Sequence, residues 1–196
     1  GEAISGQFII YDSEEKLNVL ESQFSDLKLF NWNERLEKSL RKETDGILHV
    51  SPRLRFGGMM SSGDESIGVN LQALSREHLE RVSSILDFQG GNIPENNDEI
   101  MLSETFADEL NSKVGDTLVV LANNRNGYLS DAILVISGIF RTNGLAQFLT
   151  PIGYINYEKG KSLMGLEKYE TMELLVNFKN FEGAEEQEAF LHSILI

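Results

Sequence analysis

The 196-residue chain has no cysteine, which excludes a disulfide framework, a thiolate metal site and a cysteine nucleophile, and leaves the redox compartment undetermined. Positive charge is scarce. Seventeen Lys and Arg against 31 Asp and Glu give a formal net charge of −14, and no basic run exists that could neutralise a row of phosphates. Nucleic acid is therefore not an expected partner. No apolar run reaches the roughly 18 residues of a membrane-spanning helix, and the N-terminus lacks the charged-then-apolar layout of a signal peptide.

What is present is ample material for a core. Leu, Ile, Val and Phe make up about 31% of the chain, well above the roughly 20% below which chains stay disordered. The length suits one ordinary domain or two small packed subdomains. The sequence opens and closes abruptly in structured-looking segments, so we expect a domain excised from a longer protein.

Along the chain, Gly6 to Tyr11 (GQFIIY) reads as a strand stopping at Asp12-Ser13, and Leu17, Leu20, Phe24 and Leu27 then recur at helical spacing. A second helix is expected over Asn33 to Lys42, and an extended segment over Ile47 to Phe56. Gly57 to Gly63 reads as a flexible loop or hairpin tip, Ser66 to Leu71 as a strand, Ser75 to about Leu86 as a helix, and Gly90-Gly91 as a turn. Ile100 to Leu102 is a short strand. Ser103 should cap a helix with Phe106, Leu110 and Val114 on one face, ending at Gly115. Two apolar runs, Thr117 to Ala122 and Ala132 to Phe140, flank the hairpin signal Asn126-Gly127. A strand (Ile152 to Asn156), a helix (Glu158 to Met164), a strand (Thr171 to Phe178) and a helix from Ala184, with Phe190, Leu191 and Ile194 inward, complete the chain.

No catalytic, cofactor-binding or metal-ligating residue emerges. Gly160-Lys161-Ser162 matches the end of a phosphate-binding loop, but the glycine needed five residues earlier is Ile155, so the wrap of backbone N–H groups is missing. His49, His78 and His192 fall in three elements without the i, i+4 pairing of a helical zinc site. No serine sits in a G-x-S-x-G elbow. Glu95 to Glu99 lacks the glycine and distal glutamate of a calcium loop and reads as a solvated turn. Apolar residues in polar tips stand out instead. Met59 and Met60, Tyr128 and Leu129, and Phe148 within Leu145 to Leu149 are the candidates for partner contact, since flexible methionines and aromatics suit protruding recognition surfaces.

Glu99 to Leu121 (EIMLSETFADELNSKVGDTLVVL), Val135 to Thr142 (VISGIFRT), Leu163-Met164-Gly165 and the earlier Ser51-Pro52-Arg53-Leu54 occur in an order and spacing that resembles the extracytoplasmic core domain of MacB/LolC/LolE/FtsX-like ABC transporter permeases. The similarity runs from about Phe8 to Leu195, and departs from the family where Gln72 to Ser75 replaces a Gly-Asp-Pro entry. The resemblance implies an α+β fold: a porter-like subdomain of βαβ units from both chain ends (residues 1–60 and 168–196) with an inserted strand-rich sabre-like subdomain (residues 61–167). It implies a non-enzymatic domain without a cofactor, outside the cytoplasmic membrane. The parent permease would sit in the inner membrane as a dimer, pair there with an ABC ATPase, and meet a periplasmic or outer-membrane protein. Its role would be mechanical coupling in export or lipoprotein release. The structural role implied for Gly115 is a helix end, for Asp116 a cap, and for Gly138 close strand packing. The rival readings from other classes are a scaffold or interaction domain and a phosphate-binding enzyme at Gly160 to Ser162.

Overall fold

The computed structural model describes residues 7–10, 29–43, 46–84, 86–141 and 152–178. In chain order the elements are β1 (Gln7–Ile10), β2 (Phe30–Asn31), α1 (Glu34–Glu43), β3 (Ile47–Ser62), β4 (Glu65–Leu74), α2 (Arg76–Ser83), β5 (Asp87–Gly91) and β6 (Glu99–Ser103). Then come α3 (Glu104–Glu109), β7 (Thr117–Asn123), β8 (Leu129–Arg141), β9 (Ile152–Asn156), α4 (Tyr157–Met164), β10 (Glu170–Thr171) and β11 (Glu173–Phe178). The expected helices led by Leu17 and by Ala184, the Leu145 to Leu149 connection with Phe148, and His192 lie outside the described residues. The α+β class is as expected. The chain divides into two compact units, Gly1–Arg53 with Glu167–Ile196, and Leu54–Leu166.

The first unit takes its strands from both ends of the chain. β1 runs antiparallel to β11 with Gln7 opposite Asn177, and β11 runs antiparallel to the first part of β3 with Val176 opposite Val50. Because β1 and β11 are antiparallel neighbours, the chain enters β1 and leaves β11 at the same end of this sheet. α1 starts where Asn33 Oδ1 accepts from the backbone N–H groups of Arg35 (3.0 Å) and Leu36 (3.1 Å), satisfying donors that the helix itself leaves orphaned. Its apolar face places Leu40 with Trp32, Leu174 and Val176 in one buried cluster, against which Phe30, Leu36, Ile47 and Val50 pack. Also buried here is the cross-strand pair Arg53 and Glu173, joined by a short guanidinium to carboxylate hydrogen bond, with Arg53 Nη2 unpartnered.

The second unit is a closed ring of strands. β3 pairs with β4, β4 with β9, β9 with β6, β6 with β8, β8 with β7, and β7 back with β3. Closure removes free edges, and alternation sends every second side chain inward. Met60, Leu71, Ile100, Leu118, Val120, Leu134, Ile136 and Phe140 are among the residues that fill the ring. β5 adds to β8 outside the ring. α4 packs on β4, β7, β8 and β9, strands from different sides of the ring, and so lies across one mouth.

Glycines in this unit mark close approaches. A Cβ on Gly58 would lie 2.6 Å from the Leu121 carbonyl oxygen, the close approach that lets β3 continue through Gly57 to Ser62 where the sequence suggested a loop or hairpin tip; the tip itself is at Gly63-Asp64, between β3 and β4. Gly90 and Gly91 likewise belong to β5, not to a free turn, because the ladder to β8 extends through both. The expected helix after Ser103 is shorter than its apolar spacing suggested. It stops at Glu109; Phe106 and Leu110 are buried, but Val114 is exposed in the following turn. Gly115 therefore serves that turn, at φ +93°, with its N–H on the Ile136 carbonyl. Asp116 closes the turn by accepting from the Lys113 N–H at 3.0 Å. Gly138 permits close packing, since a Cβ there would lie 2.4 Å from the Asn92 carbonyl oxygen.

Candidate functional site

β7 and β8 form the hairpin that carries the exposed apolar residues. Its tip is fixed by Asn124, whose Oδ1 accepts from the N–H groups of Asn126 (3.0 Å) and Tyr128 (3.1 Å), with Gly127 at φ +78° taking the conformation other residues avoid. The Arg125 N–H donates to the Met164 carbonyl, tying the tip to the end of α4. Tyr128 and Leu129 are 71% and 67% exposed on this ordered tip.

The register extends the exposed surface down the hairpin. Val119 faces Ile133, Thr117 faces Val135, Leu121 faces Asp131, and on the other side of β7 Met59 faces Leu121. Inward residues Val120, Ala132 and Leu134 are buried, so alternation turns Val119, Ile133, Val135 and Met59 outward. Ile133 is 63% exposed and Met59 46%; Val119 and Val135 are exposed as well. The result is a band of apolar side chains on the outer face of the ring, crossed by one charge, Asp131.

Of the five residues expected to meet a partner, Met59, Tyr128 and Leu129 lie on this face and Phe148 lies outside the described residues. Met60 is a correction: it is fully buried, because its position in β3 points into the ring beside Val120, its partner in register. Val119, Ile133 and Val135 were missed. Their signal was that Thr117 to Ala122 and Ala132 to Phe140 are apolar at alternate positions on both faces, while a ring needs only one apolar face.

The other candidates take structural places. Gly160 and Lys161 are buried within α4 rather than standing in a loop. His78 is buried in α2 and His49 is half-buried in β3, in different units. Among the described residues no group of three or more His, Asp or Glu side chains is placed to hold a metal ion. Glu95 to Glu99 is an ordered turn: Glu99 accepts from the N–H groups of Glu95 (2.6 Å) and Asn96 (3.1 Å) and from the Asn96 amide (2.9 Å). Burial works to raise the Glu99 carboxyl, but these hydrogen bonds and the charge of Arg76 outweigh it and hold the group below the usual carboxylate range. Arg141 donates twice to Glu104, at 2.7 and 2.8 Å, and that hydrogen bond likewise lowers the Glu104 carboxyl.

No family model matches the chain. It is 30% identical over 102 residues to the lipoprotein-releasing system transmembrane protein LolE of Haemophilus influenzae, a match covering 50% of this chain and 24% of that protein. The match thus spans about a quarter of that relative's length. Three solved structures share the fold. The extracellular domain of the noncanonic ABC-type transporter YknZ from Gram-positive bacteria aligns over 92% of this chain and 86% of its own, with a TM-score of 0.58 at 15% identity. The periplasmic region of MacB from Actinobacillus actinomycetemcomitans aligns over 85% and 80%, with a TM-score of 0.56 at 15% identity. A permease-protein domain from Porphyromonas gingivalis aligns over 80% and 67%, with a TM-score of 0.53 at 14% identity. No helix among the described residues is long and apolar enough to cross a membrane. The resemblance read from the sequence therefore holds: the chain has the fold of the extracytoplasmic domains of MacB-like ABC transporter permeases, and its sequence match to LolE supports the same family.

Proposed function

We propose that the chain is the extracytoplasmic domain of an ABC permease subunit, and that it transmits ATP-driven movement of transmembrane helices to export or to lipoprotein release. The observation that carries this reading is the pairing of β1 with β11, which brings the entering and leaving segments to one end of one sheet. A displacement of two membrane helices joined there would move that sheet as a body, because sliding one strand against the other would break a ladder of hydrogen bonds. On this reading the first unit is the porter-like part and the second the sabre-like part, close to the divisions at residues 60 and 168. The ATPase is a separate domain or subunit joined through the membrane part, and the permease is dimeric in the inner membrane. The domain itself is non-enzymatic. The partner, a periplasmic or outer-membrane protein, meets the band formed by Met59, Tyr128, Leu129, Val119, Ile133 and Val135, whose exposure on an ordered hairpin limits the ordering entropy that binding costs.

The test uses the parent permease reconstituted with its ATPase. Ile133→Lys with Val119→Lys, both outward and therefore harmless to the ring, should abolish export or release while ATP hydrolysis persists. Transport at the unaltered rate would overturn the assignment of the face. Replacement of residues 54–166 by a short linker should uncouple hydrolysis from transport, and transport unaffected by that replacement would overturn the permease reading itself.

A further inference from the structure

Without cysteine, the sulfur chemistry of this chain belongs to its five methionines, all of them among the described residues. Their surroundings differ sharply. Met60 and Met101 are fully buried and Met172 and Met164 are 5% and 8% exposed, whereas Met59 is 46% exposed. The register gives the reason. On the outer face of β3 the neighbours of Met59, two residues to either side, are Gly57, which has no side chain, and Ser61, which has a short one. Neither can cover a thioether. Across the ladder stands Leu121, and the next outward residue of β7 is Val119, opposite Ser61. Met60, one position on, points into the ring, so two adjacent residues of one type meet opposite environments.

We infer that Met59 is an oxidation site: a peroxide converts its thioether to the sulfoxide in the folded chain, and the product disables the apolar band as a contact surface. A sulfur lone pair attacks one peroxide oxygen, and the S–O bond forms as the O–O bond breaks. The proton of the transferred oxygen passes to the departing hydroxide, which leaves as water. Sulfur loses two electrons and the peroxide gains them. A flexible apolar side chain thereby becomes a polar, chiral one that accepts hydrogen bonds. In the free chain water satisfies the new oxygen, so the fold is undisturbed. Under a partner it faces Leu121 and Val119, whose side chains donate no hydrogen bond, and burial there should weaken the contact about ten- to a hundredfold. The change is reversible, because methionine sulfoxide reductases restore the thioether. The loss of contact rests on the proposed role of the band; the selectivity for Met59 rests on its exposure alone.

Limited treatment of the 196-residue chain with hydrogen peroxide, followed by peptide mass mapping, tests the site. Met59 should gain one oxygen atom about tenfold faster than Met164 or Met172, and Met60 and Met101 should trail further, since their oxidation waits on opening of the structure. In concentrated urea all five should react at similar rates. On a phenyl column in native buffer the oxidised chain should elute earlier with its melting temperature unchanged, and the two methionine sulfoxide reductases, one for each epimer, should restore the original retention. Met59→Leu should elute at the same position before and after peroxide. Equal rates in the folded chain, a buried methionine reacting first, or unchanged retention of a chain carrying Met59 sulfoxide overturns the inference. In the reconstituted parent permease, Met59→Gln imitates the polarity of the sulfoxide without an oxidant and should slow transport about tenfold, well beyond the effect of Met59→Leu. Transport by Met59→Gln no slower than by Met59→Leu overturns the loss of contact. Non-selective oxidation, with transport still abolished by Ile133→Lys and Val119→Lys, overturns the oxidation site alone; selective oxidation, with transport unaltered by those lysines, overturns the band assignment alone.

Discussion

Gly160 makes a sharp prediction because two rules about glycine oppose each other there. It lies in the middle of α4, buried, with an ordinary helical backbone, so helix propensity alone says that Gly160→Ala should stabilise by about 1 kcal/mol. Packing says the opposite. A Cβ at this position would lie 2.2 Å from Ala73 Cβ, 3.3 Å from Leu54 Cδ1 and 3.6 Å from Phe56 Cε1. The leucine can yield a few tenths of an ångström, but Ala73 Cβ is fixed to the β4 backbone. Restoring a carbon–carbon contact of about 3.5–4.0 Å needs the helix to retreat from β4 by about 1.5 Å, which opens its other contacts. Overpacking of this kind costs about 1–3 kcal/mol, and the rigidity of the partner places it at the upper end. The net loss after the propensity gain is about 2 kcal/mol, or about 4–8 °C in Tm for a chain of this size. Urea titration of wild type, Gly160→Ala, Ala73→Gly and the double variant would measure it. Removing the Ala73 methyl gives the new Cβ its space while the propensity gain remains, so the two changes should couple by about 3 kcal/mol, the whole cost of the clash, instead of adding. A Gly160→Ala midpoint at or above wild type, or strictly additive effects, would refute the argument.

Glu173→Leu should cost about 3–5 kcal/mol by stranding the buried Arg53 guanidinium, whereas Arg53→Met combined with Glu173→Leu should be neutral or stabilising; chemical denaturation of the three variants decides it. Asn33→Ala should cost about 1 kcal/mol through loss of two hydrogen bonds at the start of α1, read from the thermal midpoint by circular dichroism. The turn at Glu95 to Glu99 should loosen in acid. Because the folded Glu99 carboxyl lies below its unfolded value of about 4.3, its stabilisation is complete above that pH and is lost as pH falls through the folded value. Hydrogen exchange at the Glu95 and Asn96 amides should accelerate in that window, and Glu99→Gln should remove the pH dependence.

Much of the architecture is written locally. The strand at Ile152 to Asn156, the helix that follows it and the hairpin at Asn126-Gly127 each follow from a period, a capping residue or a turn dipeptide, which act over a few residues. The order of the VGD and GIF segments carried the fold family for the same reason: those residues fill a fixed turn and a fixed close approach, at Gly115 and Gly138. The sequence by itself thus settled most of the described strands and helices, the acidic character and the missing thiol chemistry. Ring closure, by contrast, was decided only in three dimensions, because the pairing of β7 with β3 joins residues some sixty positions apart and no local pattern encodes it. That closure turned Gly57 to Ser62 from a loop into a strand, buried Met60, and left Val119 and Ile133 facing outward. It also explains why Gly160 in GKS is a packing residue: the methyl that excludes a larger side chain belongs to Ala73, and their contact exists only once α4 lies across the mouth of the ring.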